Sequence, residues 1–119
     1  MAKDPAYSDS RCAEAVEEQR RLRAKVRLEP LPSGLRWVGG ADVSSNRFGR
    51  TLWGGIVVCD ALSNFGVVVQ SVVRMEVDVP YIPGLLAFRE VPVLEAAWER
   101  LARKPEVVLV DAHGLAHPR

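Results

Sequence analysis

Three acidic residues stand where carboxylates are costly. Asp42 lies inside an apolar alternation, between Ala41 and Val43, and Asp111 ends the valine-rich run Val107 to Val110. A mid-strand carboxylate is expensive to bury unless something compensates it. If the two strands are parallel neighbours, both carboxylates lie close together, and like charges so placed repel unless a proton or a cation intervenes. Glu90 is the third candidate, at the start of a helical stretch and soon after Phe88. Three acidic oxygen donors on adjacent strand and helix ends make a hard-cation site suited to magnesium or manganese. Such a site orients a water as nucleophile and stabilises the leaving oxygen of a phosphodiester. The competing reading is structural, and commoner at such positions. It makes Asp42 and Asp111 cap or turn residues and Glu90 a first-turn acid beside the helix dipole.

Two further stretches hold chemistry-bearing types. The tail from Asp111 to Arg119 carries both histidines, His113 and His117. Zinc needs a third nitrogen or sulfur ligand, and none is in reach by sequence. No serine or cysteine sits in a nucleophile elbow. What is left is a loop whose backbone, histidines and Arg119 contact phosphate, or a plain loop. Pro80-Tyr81-Ile82-Pro83 is stiffened by two prolines. It reads either as a protrusion whose exposed aromatic tip wedges between bases, or as a hydrophobic staple under the next helix. Cys12 and Cys59 are too far apart in sequence to suggest a zinc or redox pair, so reduced thiols in a cytoplasmic protein are expected.

The elements that must position these residues follow from periodicity and breakers. Ser8, Asp9 or Ser10 can cap a helix running to about Val26. Its apolar positions, Ala15, Leu22 and Val26, make a thin stripe that predicts packing on a sheet edge. The cluster from Glu29 to Gly34 breaks the chain. Strand-like runs cover Leu35 to Ser45, Thr51 to Ala61 and Phe65 to Val77, with turn chemistry at 46–49 and 63–64. These form an antiparallel meander, and their valine content predicts a sheet covered on both faces. The segment 80–85 is irregular. Pro92 then sits near the first turn of a helix extending to about Arg103, with Leu94, Trp98 and Leu101 as its apolar stripe. Val107 to Val110 is a buried strand that the helical crossover places parallel to the first. The fold class is a mixed α/β sheet.

At 119 residues the chain is long enough for one domain. Residues 1–34 form a helix and linker, and 35–119 the body with the acidic motifs. A composition 48% hydrophobic and 26% charged is that of a globular protein. The net charge of +1 supplies no global basic field for nucleic acid. Arg20, Arg21, Arg23, Lys25 and Arg27 do crowd one segment, which is either a phosphate track or, more commonly, a solvated helix face. The first ten residues have no signal-peptide core, and no run reaches membrane-spanning length, so no membrane association is expected.

Gly40-Ala-Asp-Val-Ser44, Pro80-Tyr-Ile-Pro-Gly-Leu-Leu-Ala-Phe-Arg-Glu90 and Val110-Asp-Ala-His-Gly-Leu-Ala-His-Pro-Arg119 resemble, in order and separation, the three N-terminal motifs of endonuclease V. The middle motif is long and distinctive, and the similarity runs from about Ala13 to the last residue. The resemblance implies a ribonuclease-H-like fold with its C-terminal half missing. It implies recognition of inosine in DNA or RNA, repair of deaminated adenine, and cleavage at the second phosphodiester 3′ to the lesion. It matches magnesium-binding acids to Asp42, Glu90 and Asp111, with manganese an alternative ion. It matches a strand-separating wedge to Pro80, Tyr81, Ile82 and Pro83, and base-pocket backbone to Gly84, Leu85 and Gly114. His117 and Arg119 match positions near the scissile phosphate. Base extrusion favours poorly paired lesions.

Two departures stand out. Ala112 replaces a usual glycine, and a positive φ there would cost about 1 kcal/mol. The family also continues for about as long again past Arg119, with a lysine, a histidine and more of the base pocket. The expected consequence is an open sheet edge that self-associates. The alternatives to a working nuclease are a truncated non-catalytic remnant that binds nucleic acid or protein, and a plain interaction module whose acids are structural.

Overall fold

Four strands line up in the order β3-β2-β1-β4 and carry one helix across a single face. A computed structural model describes residues 9–46 and 48–118. Ser8 and Arg119, expected as a helix cap and a phosphate contact, lie outside the described residues. The elements are α1 (Asp9–Arg23), β1 (Trp37–Ser45), β2 (Thr51–Asp60), β3 (Gly66–Glu76), α2 (Leu86–Glu99) and β4 (Val107–Val110), followed by a 3-10 turn at Gly114–Ala116. Strands β1, β2 and β3 pair antiparallel, and β4 pairs parallel to β1. This is the mixed sheet that the short turns and the helical crossover predict.

The core lies between α2 and the sheet. Ala41, Leu52, Ile56, Val58 and Val73 meet Val93, Ala97 and Leu101. Leu52, Val58 and Val93 are the largest fully buried side chains. Gly54 sets how closely the helix approaches. A Cβ there would stand 3.0 Å from both Val93 methyl carbons and from the Val93 carbonyl oxygen. Gly54→Ala must therefore lift α2 or bend β2, at a cost of about 1–3 kcal/mol typical of overpacking. Urea denaturation reads this directly, and an unchanged midpoint and slope would contradict the close approach.

The helix differs from its sequence reading at its start. It begins six residues before Pro92, which sits inside it. The proline costs one bond to the Phe88 carbonyl. The first turn is nonetheless secured by the Phe88 N–H donating to the Leu85 carbonyl at 3.2 Å and by burial of Leu85 and Arg89. The buried stripe is Arg89, Val93 and Ala97, continued by Leu101 just past the helix end. Leu94 and Trp98, expected as the stripe, flank it half-buried.

Two packing expectations are corrected. Pleating puts Asp42, Trp53, Gly55, Val72 and Leu109 on the face away from α2. Trp53, Val72 and Leu109 are exposed there, so the sheet is covered on one face among the described residues. The valines record strand propensity as much as burial. Helix α1 does not pack on a sheet edge either. Ala15 packs with Leu85, joined by Cys12, Val16, Val79, Ile82 and Phe88, while Leu22 and Val26 are exposed.

The sheet end remote from Asp42 is tied by charge. Arg36 donates through Nε and Nη2 to the two carboxylate oxygens of buried Asp60, at 3.1 and 3.0 Å. That guanidinium holds the Asp60 carboxyl below its ordinary range. Glu106 accepts from the backbone N–H groups of Arg36 and Trp37 at 2.9 and 3.0 Å, which fixes the start of β4 beside the start of β1.

Candidate active site

Asp42 is exposed in the second half of β1, and its Oδ1 accepts from the Val43 N–H at 2.9 Å. Ala41 is in register with Val110. Asp42 follows Ala41 in β1, and Asp111 is the first residue past the end of β4, so each acid comes one step after the last parallel pair. Neighbouring strands stand about 4.8 Å apart, which is the proximity that parallel pairing implies. Asp111 is itself exposed.

Glu90 is the fifth residue of α2 and is half-buried. Burial is the main cause that pushes its carboxyl up, and the charge of Asp42 adds to it, while Arg89 opposes both. Asp42 therefore acts on Glu90 through its charge, and an ionised Glu90 there is relieved by a proton or a cation. Among the described residues, no three of the His, Cys, Asp and Glu side chains converge closely enough to hold a metal ion. The Asp42 charge acts on Glu90 and Asp111 comes one residue past the last β1–β4 pair, but the set is not closed around an ion.

The segment 80–85 is built on a tight turn. Pro83 and Gly84 are its central residues, Gly84 has φ +84°, and the Leu85 N–H donates to the Ile82 carbonyl at 2.9 Å. A positive φ at that position is what glycine supplies in a type II turn. Pro83 is exposed, Pro80, Tyr81 and Ile82 are half-buried, and Leu85 is buried. The exposed tip is thus the proline and not the expected aromatic. Ile82 and Leu85 serve as the staple under α1, and Gln19 of α1 donates to the Gly84 carbonyl.

The tail folds into its single 3-10 turn with Gly114 at φ +57°. The rings of His113 and His117 are 5.8 Å apart and tilted. Arg23 of α1 donates to the Pro118 carbonyl at 3.2 Å, so the basic helix reaches this tail. Ala112 is not among the non-glycine residues with positive φ. The distortion expected from the missing glycine does not arise.

One residue of the site region escapes the sequence reading. Arg89 is 2% exposed and faces inward. Its Nη1 donates to the Val79 carbonyl at 2.9 Å. Its Nη2 donates to the carbonyls of Asn46, at 3.3 Å, and Gly49. It therefore joins the turn after β1, the approach to the 80–85 segment and the first turn of α2. The available signal was its spacing of four from Val93 and eight from Ala97, the buried face of the helix.

The sequence and the fold match proteins of one family. A family model for endonuclease V matches residues 20–119. The chain is 46% identical to endonuclease V of Myxococcus xanthus over 123 residues, which is all of this chain and 52% of the relative. It is also 46% identical to endonuclease V of Aeropyrum pernix over 115 residues, 96% of this chain and 43% of that one. Among solved structures, the endonuclease V of Streptomyces avermitilis superposes with a TM-score of 0.79 at 38% identity, over 89% of this chain and 47% of that chain. The Ciona intestinalis endonuclease V, in complex with DNA containing an inosine followed by a ribo-adenosine, gives 0.78 at 28% identity, over 92% and 49%. The relatives are thus endonucleases by name. The chain belongs to the endonuclease V family. It spans about half the length of the curated relatives it matches.

Proposed function

We propose that this chain supplies the acidic, strand-separating half of a metal-dependent endonuclease that cuts the second phosphodiester 3′ to inosine in DNA, with inosine in RNA as a second substrate. The observation that carries the reading is the half-buried Glu90 carboxyl raised by burial and by the charge of Asp42, with Asp42 and Asp111 each one residue past the last parallel pair, Ala41 and Val110. The donors are all carboxylate oxygens, which suits magnesium or manganese over zinc. Asp42 and Glu90 would hold the ion, with Asp111 as the third donor. When bound, such an ion supplies the charge that stabilises the leaving oxygen of a phosphodiester. The chain's own residues supply the positioning. The stiff 80–83 segment enters between bases, the Gly84, Leu85 and Gly114 backbone faces the extruded base, and His113, His117 and Arg119 lie along the phosphates. Repair of deaminated adenine in the cytoplasm is the corresponding role.

The test is nicking of a duplex oligonucleotide carrying one deoxyinosine, with magnesium or manganese, beside an inosine-containing RNA strand. The expected product is a single nick displaced 3′ to the lesion, and Asp42→Asn is expected to reduce its rate on the order of a thousandfold, since metal-assisted charge stabilisation is worth several kcal/mol. A second reading is favoured by the absence of a closed three-acid cluster among the described residues. In it the chain binds inosine-containing nucleic acid without cutting. Retention of the oligonucleotide with no nick at any protein concentration would select that reading and sink the first.

A further inference from the structure

We propose that the end of α1 and the residues after it form a phosphate-contact surface that holds nucleic acid beside the candidate site without reading its sequence. The inference deepens the proposed function and rests on its reading that the chain binds nucleic acid, but not on cleavage. With sixteen Lys and Arg against fifteen Asp and Glu, the chain carries too little net charge to attract a polyanion as a whole. Any attraction must be local. The densest excess is Arg20, Arg21, Arg23, Lys25 and Arg27, five cations in eight positions with no acid between them. All five are exposed.

Helix-dipole compensation accounts for part of this cluster. Arg20, Arg21 and Arg23 stand in the last turn of α1, where cations meet unpaired carbonyls. Lys25 and Arg27 lie past the helix, where that effect has fallen away. Carboxylates account for another part. Arg20 pairs with Glu17 at 2.5 Å, Arg21 with Glu18, and Arg27 with Glu29 at 3.8 Å. Exposed pairs of this kind are worth about 0–1 kcal/mol and exchange readily for a phosphate oxygen. Arg23 and Lys25 have no ion pair among the described residues, and Lys25 acts on Glu18 through its charge alone. Placement then selects the partner. Gln19 and Arg23 are four residues apart and share a face of α1. Gln19 donates to the Gly84 carbonyl and Arg23 to the Pro118 carbonyl. The basic end of the helix is thereby fixed against both the 80–85 segment and the tail, the two stretches that the proposed function sets against nucleic acid. The Lys25 and Val26 N–H groups donate to the Leu22 and Arg23 carbonyls at 2.9 and 3.1 Å, which keeps Lys25 at the same end. A nucleic acid lying across both stretches presents its flanking phosphates to these cations, and contacts to phosphate position without specifying sequence.

The experiment measures binding of the 119-residue chain to a fluorescent duplex without inosine, and to the same duplex with one deoxyinosine, over a series of salt concentrations. Each phosphate contact contributes about 0.9 to the slope of log affinity against log salt. Arg23→Gln combined with Lys25→Gln is expected to flatten that slope by about 1.8, equally on both duplexes. Arg23→Lys combined with Lys25→Arg keeps both charges and is expected to keep the parent slope. Arg74→Gln, which removes an exposed charge from β3, is expected to leave the slope unchanged. The proposal is overturned if the glutamine pair keeps the parent slope, if its effect appears on the inosine duplex alone, or if Arg74→Gln flattens the slope as much per charge. It is also overturned if the parent binds neither duplex, or prefers vesicles containing phosphatidylserine, the occupant that exposed Val26, Leu28 and Leu31 beside these cations would favour. Nicking is scored separately. A chain that shows the slope change and does not cut leaves this proposal standing and counts against the proposed cleavage alone. A chain that cuts while the glutamine pair keeps the parent slope overturns this proposal alone.

Discussion

Glu90→Gln is expected to abolish the stabilisation of this chain by magnesium or manganese and to flatten its pH dependence. Burial and Asp42 raise the folded Glu90 carboxyl above its ordinary value. The folded state then holds a proton that the unfolded chain releases. Stability is therefore full below the ordinary glutamate range and falls as pH rises toward the raised folded value, beyond which the loss is constant. Glutamine cannot ionise, so without metal the variant matches the parent at low pH and exceeds it above that window. A divalent ion reverses the order. At a free concentration of a hundred times Kd it stabilises the parent by about 2.7 kcal/mol, and the variant by close to nothing. Because proton and cation compete for one carboxylate, the parent's metal gain grows with pH. Urea denaturation at several pH values, with and without each ion, checks both limbs. A variant that keeps the full metal gain would remove Glu90 from the ligand set.

Much of this arrangement is legible in the sequence, and the reasons are local. Alternation and two short turns fix the three antiparallel strands to within two residues. A helix between two strand runs forces β4 parallel to β1, and that pairing ends at Ala41 with Val110, one residue before each of Asp42 and Asp111. The errors come where local patterns have two causes. Pro92 resembles a first-turn residue, yet burial of Leu85 and Arg89 secures a helix that begins six residues before it. Valine-rich strands suggest burial on both faces, yet Trp53 and Val72 are exposed. In the candidate site, no local rule states how far Asp42, Glu90 and Asp111 stand apart, or that Tyr81 lies half-buried behind an exposed Pro83.

Arg89 is the clearest case of what periodicity alone cannot supply, and its removal is the second large effect. A buried guanidinium is tolerable only where fixed acceptors meet its donors. Here three backbone carbonyls, from Val79, Asn46 and Gly49, accept from its two Nη groups, while the buried Nε has no partner among the described residues. These carbonyls come together only once α2 lies on the sheet. Arg89→Met would keep the apolar stem and strand all three acceptors. Hydrogen bonds to charged groups are each worth about 1.5–3 kcal/mol, and orphaned buried acceptors add their own desolvation cost. Bonds sharing one side chain are not additive, so a loss of roughly 3–5 kcal/mol is expected. That is a large part of the stability of a small domain, about 5–15 kcal/mol. Arg89→Lys retains a charge but not the planar fork, and should recover part of the loss. A second readout separates positioning from bulk stability. Arg89 is the group that pulls the Glu90 carboxyl back down, so in Arg89→Met the pH window over which Glu90 costs stability extends further upward. In Arg89→Lys it stays near the parent's. Equal loss in both variants with no movement of that window would reduce Arg89 to a packing residue. A moved window in the methionine variant alone would make it the residue that joins the β1 turn and the 80–85 segment to the charge state of the acidic site.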